Sequence, residues 1–147
     1  MNATAPIMLV EDNPMDVDLT RRAFSRHNLT NHIEVARDGQ EALELIENWS
    51  TCNRVPSVVL LDLKLPKISG LEVLRFIRSH AGYKSVPVVV LTSSSEDRDI
   101  HEAYSLGANS YIVKPVEFEK FIEVARHIKL YWTILNTPCL TRGQALE

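Results

Sequence analysis

Three short strings decide the fold of this chain: Val10-Glu11-Asp12-Asn13, Leu61-Asp62-Leu63-Lys64-Leu65-Pro66 and Val113-Lys114-Pro115, with Leu91-Thr92-Ser93 between the last two. Each string begins with or closely follows a short apolar run, which is typical of a strand buried in a parallel sheet. Polar residues therefore follow the carboxyl ends of strands, the edge at which an open parallel sheet binds ligands. The sequence predicts that three carboxylates, a hydroxyl and an ammonium group meet there: Glu11, Asp12, Asp62, Thr92 and Lys114.

Short apolar runs alternate with segments of helical length along the whole chain. The apolar runs predict five strands: 7–10, 33–36, 58–61, 88–91 and 111–113. Four pairs have the spacing of a helix amino-terminal cap: Asn13 with Pro14, Asp38 with Glu41, Ser69 with Glu72, and Ser93 with Glu96. Gly107 is a natural helix terminator in the left-handed conformation. Five strands and five helices in strict alternation predict a doubly wound α/β domain.

Size, charge and cysteine content limit the possible classes of protein. A chain of 147 residues fits one compact domain. Its formal net charge of −3 argues against a nucleic-acid surface, which needs a concentrated basic patch. Its two cysteines have no disulfide or metal-ligand pattern, and no apolar stretch approaches the roughly 20 residues that span a bilayer. We therefore expect a cytoplasmic protein with neither a nucleic-acid nor a membrane partner.

The spacing of these residues resembles the receiver domain of two-component response regulators, from Ile7 to about Ile128. The pattern has an acidic pair after the first strand, and Asp62 with a proline and a glycine after the third. Thr92 follows Asp62 by thirty residues, and Lys114 follows Thr92 by twenty-two. The resemblance implies a flavodoxin-like fold with five parallel strands in the order 2-1-3-4-5.

The resemblance also implies a role for each polar residue. Asp62 would accept a phosphoryl group from a phosphohistidine of a histidine kinase. Asp12 and Asp62 would bind Mg²⁺ directly, Glu11 would bind it through water, and the backbone carbonyl of Lys64 would supply a further oxygen. Phosphoryl transfer depends mostly on positioning and charge neutralisation, which these groups and Mg²⁺ would provide.

Two further residues match the family's contacts to the phosphoryl group, and one matches its switch. Lys114 would pair with phosphoryl oxygens, and the Thr92 hydroxyl would donate to another. Tyr111 matches the aromatic switch residue that turns inward when the threonine moves. Taken singly, Asp12 or Thr92 could cap a helix, and Lys114 or Tyr111 could be an ordinary surface or strand residue. Their joint spacing favours the functional interpretation.

Two functions of different classes use this chemistry. The first is a signalling module, either with an output of its own or serving as a phosphate sink. The second is an Mg²⁺-dependent phosphohydrolase with an aspartyl nucleophile. Phosphohydrolases of the haloacid dehalogenase type carry a second Asp two residues after the nucleophile, where this chain has Lys64. This difference favours the signalling module, which is not a turnover enzyme. A pseudo-receiver that works unphosphorylated is disfavoured because every pocket residue is present.

The carboxyl-terminal part of the chain indicates which group of response regulators the chain resembles. The chain ends within twenty residues of Ile128, so we expect no attached effector domain. This layout resembles the response regulators of bacterial phytochromes, as do the strings Val89-Val90-Leu91-Thr92-Ser93-Ser94 and Ala108-Asn109-Ser110-Tyr111 and the pair Tyr131-Trp132. That resemblance implies a red-light-regulated histidine kinase as the partner.

An apolar stripe predicts a homodimer. Its members recur at steps of three and four along an extended last helix: Phe118, Phe121, Ala125, Ile128, Trp132 and Leu135. The first four can cover the receiver sheet, whereas the last two lie beyond it with Tyr131 and Ile134. We therefore predict a receiver domain over 1–130 and a dimerisation arm over 131–147. The alternative is that the arm folds back on its own domain.

Overall fold

A computed structural model of the chain describes residues 5–28, 31–52, 54–114 and 117–130. Its centre is a sheet of five parallel strands: β1 (Ile7–Val10), β2 (Ile33–Ala36), β3 (Val58–Leu61), β4 (Val88–Thr92) and β5 (Ser110–Val113). The strand order is β2-β1-β3-β4-β5, and every neighbouring pair is parallel. The predicted doubly wound fold is confirmed. Three of the predicted strand ranges match, and β4 and β5 are each one residue longer than predicted.

Helices connect the strands and cover both faces of the sheet. Their bounds are α1 (Pro14–Arg26), α2 (Gly39–Glu47), α3 (Trp49–Cys52), α4 (Gly70–Ser79), α5 (Asp97–Ser105) and α6 (Phe118–Ile128). The second predicted helix is thus interrupted at Asn48, after which α3 adds one turn. A 3₁₀ turn over Ala81–Tyr83 precedes β4. Each of the four connections between successive strands therefore contains a helix, and α6 follows β5, as the predicted alternation requires.

Three of the four predicted caps are confirmed, and one is wrong. The side chains of Asn13, Asp38 and Ser69 each accept a hydrogen bond from a backbone N–H in the first turn of their helices. Ser93 does not cap α5, because this helix begins four residues later with Glu96 at the cap position and no side-chain cap bond. Gly107 has the predicted left-handed conformation, with φ at 101°.

Alternate residues of each strand point to opposite faces, so the sheet divides the core into two layers. On one face, α1 and α6 pack over a cluster that includes Ile7, Leu9 and Leu60. On the other face, α2 and α4 pack over a cluster that includes Met8, Val59 and Leu61. Strands buried on both faces must be apolar throughout, which explains the continuous apolar runs of β1, β3 and β4.

The described chain includes the start of the last helix but not the predicted arm. Phe121, Ala125 and Ile128 are buried against the sheet, as the stripe predicts. Residues 131–147, with Tyr131, Trp132, Ile134 and Leu135, lie outside the described residues. None of the helices within 5–28, 31–52, 54–114 and 117–130 has the length and apolar character needed to cross a membrane.

Candidate functional site

The acidic pair of the site lies in the turn between β1 and α1. β1 is paired with β2 on one side and with β3 on the other. The strand order reverses between β1 and β3, and ligands of open parallel sheets bind at the carboxyl ends of the strands at such a point. Glu11 is buried, and its Oε2 accepts a hydrogen bond from the backbone N–H of Asn13 at 3.2 Å. Asp12 is exposed. Asn13 and Pro14 start α1 directly afterwards, which fixes both acidic residues at the edge of the sheet.

Asp62 follows β3 and is buried, with 8% of its surface exposed. Its Oδ1 accepts hydrogen bonds from the Thr92 hydroxyl at 2.8 Å and from the Lys64 backbone N–H at 3.2 Å. Its Oδ2 accepts from the Lys114 ammonium at 3.2 Å. Thr92 is fully buried at the end of β4, the neighbour of β3. Asp62 is therefore held by donors from the end of β4, from the residue after β5 and from its own loop.

Lys114 follows β5 and contacts three carboxylates. Its ammonium donates to Glu11, to Asp62 at 3.2 Å and to Asp16 at 2.9 Å. Only 11% of its side chain is exposed, so these contacts replace most of its hydration. Asp16 lies in the first turn of α1 and was not predicted from the sequence. The available signal was its position one helical turn after Asp12, which places it at the same edge of the sheet.

Three of the predicted metal ligands form a group that fits a divalent cation. One carboxylate oxygen from each of Glu11, Asp12 and Asp62 lies within 4.8 Å of the others. Hard cations such as Mg²⁺ and Ca²⁺ prefer oxygen ligands of this kind and relieve the repulsion between carboxylates. Lys64 touches the site through its backbone, while its side chain is exposed. The role of its carbonyl oxygen as a ligand stays a prediction.

Burial and charge change the protonation of two groups in the site. Burial raises the pKa of Glu11 to about 7, which the contact with Lys114 opposes and the negative charge of Asp62 reinforces. Burial alone would lower the pKa of Lys114, but its hydrogen bonds to Glu11 and Asp16 outweigh this effect and raise it. The Lys114 ammonium therefore stays charged at neutral pH, whereas the Glu11 carboxyl is partly protonated there.

Tyr111 lies on β5 beside the loop that follows Thr92. Its hydroxyl donates to the backbone carbonyl of Ser94 at 2.8 Å, and burial raises its pKa. The Ser94 hydroxyl donates to Asp99 of α5 at 2.6 Å. The loop from Thr92 to α5 is thus tied both to Tyr111 and to the first turn of the helix. Sequence reasoning missed Ser94 and Asp99, because Ser94 entered only as the last residue of the string that resembles phytochrome response regulators, and Asp99 entered nowhere.

The loop that carries Asp62 packs closely against its neighbours. A Cβ atom at Gly70 would lie 2.2 Å from the backbone oxygen of Asp62, so only glycine allows α4 to start here. The Gly70 N–H donates to the carbonyl of Leu63 at 2.9 Å. Lys67 has a left-handed backbone, with φ at 69°, and its ammonium lies 3.4 Å from the carboxylate of Asp38 at the start of α2.

All the predicted site residues therefore lie at one edge of the sheet. Glu11, Asp12, Asp62, Thr92 and Lys114 form the pocket, and Tyr111 lies at its side through Ser94. The arrangement provides a buried carboxylate oxygen, a hydroxyl donor, a fixed ammonium and a group of oxygens for a cation. These are the elements that phosphoryl transfer to a carboxylate requires.

Several known proteins are similar to this chain in sequence. The profile of the response regulator receiver domain matches residues 7–126. The probable methanogenesis regulatory protein FilR2 of Methanothrix harundinacea is 45% identical over 127 residues, which cover 86% of this chain and 82% of FilR2. The response regulator Rcp1 of Synechocystis is 31% identical over 133 residues, which cover 89% of this chain and 90% of Rcp1.

Solved structures agree with this result. The phosphorylated cyanobacterial phytochrome response regulator RcpA has a TM-score of 0.85 at 34% identity, covering 92% of this chain and 99% of RcpA. The Mn²⁺-bound form of Rcp1 has a TM-score of 0.83 at 30% identity, with coverage of 92% and 99%. The bacteriophytochrome response regulator AtBRR is 47% identical with a TM-score of 0.69, covering 90% of this chain and 98% of AtBRR. With its pocket residues at the carboxyl ends of the strands, this chain belongs to the response regulator receiver domain family.

Proposed function

We propose that this protein is a response regulator that accepts a phosphoryl group on Asp62 from a histidine kinase, with Mg²⁺ in the pocket. The observation that carries the proposal is the position of Asp62. This carboxylate is buried, bonded to Thr92 and Lys114, and close enough to Glu11 and Asp12 to share a cation with them. The receiver family and the phosphorylated state of the similar RcpA support it.

In the transfer step, an oxygen of the Asp62 carboxylate attacks the phosphorus of a phosphohistidine. A phosphorus–oxygen bond forms while the phosphorus–nitrogen bond breaks, and its electron pair stays on the imidazole nitrogen, which takes up a proton. The product on Asp62 is an acyl phosphate. Because the side chain is held by donors at both oxygens, the carboxylate is oriented before the reaction, which lowers its entropic cost.

The remaining pocket residues neutralise the charge that develops. When bound, a divalent cation would screen the phosphoryl oxygens and the attacking carboxylate as they approach each other. Glu11, Asp12, Asp62 and the Lys64 carbonyl would hold it, and the Mn²⁺-bound form of Rcp1 supports a divalent cation in such a pocket. Lys114 and the Thr92 hydroxyl would turn from Asp62 to the phosphoryl oxygens, because both groups lie within hydrogen-bond distance of the acceptor.

The modification would be read through β4 and β5. If Thr92 follows the phosphoryl group, the loop behind it moves, and this loop holds the hydroxyl of Tyr111 through the Ser94 carbonyl. The same loop is bonded to Asp99 of α5. A change at Asp62 can therefore reach α5 and β5, where Tyr104 and Val113 are half exposed.

A turnover phosphohydrolase is the less favoured function. The second acidic residue of such an enzyme would stand at Lys64, whose side chain is exposed and basic. We therefore propose that the chain promotes its own phosphorylation and dephosphorylation without turning over free substrates. Incubation with a generic phosphomonoester should give no sustained hydrolysis, and multiple turnovers would favour the enzyme.

The decisive experiment is phosphotransfer from a phosphorylated histidine kinase in the presence of Mg²⁺. We expect label on an acid-stable, alkali-labile acyl phosphate of the wild type. Asp62→Asn should abolish the label while leaving the melting temperature and the far-ultraviolet circular dichroism intact. The matched control is Asp97→Asn, an exposed aspartate in the first turn of α5, which should be labelled like the wild type. Label on Asp62→Asn, or unchanged labelling in EDTA, would contradict the proposal.

We propose that the kinase partner is of the phytochrome type. We also propose that the protein works in the cytoplasm with neither a nucleic-acid nor a membrane partner. The similarity to RcpA and AtBRR, both phytochrome response regulators, supports this choice. We expect a phytochrome-type kinase to label Asp62 faster than an unrelated histidine kinase at equal concentration. Equal rates with both kinases would contradict this partner.

A further inference from the structure

We infer that Asp16 is a positioning residue that fixes the ammonium group of Lys114 for phosphoryl transfer to Asp62. This inference rests on the proposed function and deepens it. Its starting point is the contact between Asp16 Oδ2 and Lys114 Nζ at 2.9 Å, which joins residues 98 positions apart in the chain. The contact links the first turn of α1 to the end of β5, on opposite sides of the pocket.

A lysine ammonium has three N–H donors and a flexible four-carbon stem. In this protein the three donors meet Glu11, Asp16 and Asp62, and 11% of the side chain is exposed. Each carboxylate removes one direction of motion. With two partners the ammonium could still rotate towards solvent, whereas three partners hold it at one point beside Asp62.

Asp16 differs from the other two partners because it stands outside the cation group. Among the described residues, the oxygens close enough to share a cation come from Glu11, Asp12 and Asp62, and not from Asp16. Glu11 and Asp62 would therefore turn to the cation and the phosphoryl group during the reaction. Asp16 is the partner that keeps its contact, so Lys114 can leave Asp62 for a phosphoryl oxygen without losing its position.

The backbone of Asp16 is itself rigid. It lies in the first turn of α1, where a negative side chain is favoured by the helix dipole. Its carbonyl oxygen accepts a hydrogen bond from the buried Thr20 hydroxyl at 2.8 Å, and the neighbouring Val17 is buried in the core. A carboxylate on such a turn is a fixed anchor, whereas the same charge on a mobile loop would only add to the potential of the pocket.

The test compares Asp16→Asn with Asp18→Asn. Both changes remove one charge from α1, but Asp18 is exposed and pairs with Arg22 at 2.9 Å, away from Lys114. Acetyl phosphate at saturating Mg²⁺ is the phosphodonor, which removes any effect on kinase docking. We expect Asp16→Asn to lower the maximal rate of Asp62 phosphorylation about 3- to 10-fold, with the Kd for Mg²⁺ within about twofold of the wild type. Asp18→Asn should match the wild type in both.

A double-mutant cycle separates positioning from simple charge. In a Lys114→Met background, Asp16→Asn should change the rate less than about 1.5-fold, because its effect passes through the lysine. A full effect in that background would overturn the inference, as would an Asp16→Asn variant that changes only the Kd for Mg²⁺. Labelled wild type with an unchanged Asp16→Asn rate overturns this inference alone. Failure of the wild type and of Asp18→Asn to be labelled overturns the proposed function as well.

A second measurement needs no phosphorylation. Nitrogen-15 spectra of lysine side chains report how fast the ammonium protons of Lys114 exchange with water. The wild type and Asp18→Asn should show slow exchange at Lys114, and Asp16→Asn should show exchange at least about fivefold faster. Equal exchange rates in all three proteins would show that Asp16 does not hold the ammonium, and would overturn the inference.

Discussion

Glu11 is the residue at which burial and charge oppose each other most directly. Four carboxylates and one ammonium share the pocket, so the single positive charge of Lys114 cannot balance them. A proton on Glu11 is one way to reduce the repulsion, and a divalent cation is the other. The pKa of about 7 means that proton and cation compete near neutral pH.

The first prediction is therefore a pH-dependent affinity for Mg²⁺. Below pH about 7 most Glu11 carboxyls carry a proton that must leave when the cation binds, so the affinity should rise with pH. Above that pH the carboxylate is already charged, and the affinity should level off. Isothermal titration calorimetry between about pH 5.5 and about pH 8 measures both limbs.

The raised pKa of Glu11 also affects the free energy of unfolding of the metal-free protein. The folded protein binds a proton on Glu11 more tightly than the unfolded chain does, because its pKa is raised from 4.5 to about 7. Protons bound to the folded state then exceed those bound to the unfolded state, so unfolding free energy falls as pH rises through this window and is constant above it. Glu11→Gln in EDTA should remove this dependence. A melting temperature with the same slope in both proteins would contradict the assignment.

Residue-scale prediction succeeded where a side chain directly follows a buried strand. Glu11, Asp62 and Lys114 each come within one residue of a strand end, and the parallel sheet then brings them together whatever the helices do. Asp16 and Asp99 were missed because their contacts depend on the placement of helices. Their partners lie 98 residues away in one case and on an irregular loop in the other. The spacing of Asp16 from Asp12 indicates that Asp16 lies at the same edge of the sheet, but it does not identify Lys114 as its partner.

At the scale of elements, the loop from β3 to α4 is limited by close packing at Gly70. Alanine normally favours a helix over glycine by about 1 kcal/mol. Here a Cβ atom would lie 2.2 Å from the backbone oxygen of Asp62 and 2.6 Å from the Cα of Leu63. The steric cost therefore reverses the usual order.

We predict that Gly70→Ala lowers the free energy of unfolding by about 1–3 kcal/mol or more and slows phosphorylation of Asp62, because the loop must shift. Chemical denaturation measures the first effect. Gly82→Ala is the matched control, since a Cβ atom there would meet nothing within 4 Å. A Gly70→Ala protein as stable as Gly82→Ala would show that the loop yields without cost.

Arg78 joins several elements at the opposite end of the sheet. Its guanidinium donates to the carbonyl oxygens of Gly107, Tyr83 and Val86, and to the side chain of Asn109. The Asn109 side chain in turn accepts from the Val88 backbone N–H at 2.8 Å. This one side chain thus ties the end of α4 to the segments that enter β4 and β5.

We predict that Arg78→Met lowers the free energy of unfolding by about 2–3 kcal/mol, since the carbonyl oxygens of Gly107 and Val86 lose their guanidinium donors. Arg78→Lys should recover less than half of the loss, because an ammonium cannot reproduce the planar fork of the guanidinium. Arg75→Met, an exposed arginine on the same helix, is the control and should change stability by less than about 0.5 kcal/mol. Equal stability of Arg78→Met and Arg75→Met would contradict the role of this network.

The helix boundaries show why elements are easier to predict than their caps. Asn13 and Asp38 end loops of two or three residues, and Ser69 is the single serine before Gly70, so each of these helices has one clear cap candidate. Ser93 stands in a run of three serines, any of which could cap α5, and the helix instead starts at Asp97. The Ser94 hydroxyl donates to Asp99 in the first turn of α5 and accepts from the Glu96 backbone N–H, so it bonds beside the helix start without occupying the cap position.

At the scale of the whole molecule, the phosphorylation pocket and the stabilising Arg78 network lie at opposite ends of the sheet. The pocket occupies the carboxyl ends of the strands, and the Arg78 network occupies the amino ends of β4 and β5. The core between them is apolar on both faces, so the pocket can change without a change in the packing below it. A third region, the end of α6, lies on neither edge and is where we expect a partner.

The apolar stripe of the last helix leads us to predict a homodimer. Phe121, Ala125 and Ile128 are already buried against the sheet, so the same stripe continued by Trp132 and Leu135 would have no sheet left to cover. Leu130, the last described residue and two positions beyond α6, is 41% exposed. Large apolar residues left in water mark an interface, and burial contributes about 1.5–3 kcal/mol for each side chain. Four such residues in each arm are enough for micromolar or tighter association.

We therefore predict that the unphosphorylated protein is a dimer at about 50 μM in sedimentation experiments. A chain truncated after Ile128, and a Trp132→Ala, Leu135→Ala double variant, should both be monomers with an intact fold. Met15→Ala is the control, because Met15 is 78% exposed on α1 and lies outside the stripe, and it should remain dimeric. A monomeric wild type would contradict the dimer and favour the alternative that the arm folds back on its own domain. A dimeric truncation would place the interface on the receiver surface instead, because the arm could then contribute nothing to it.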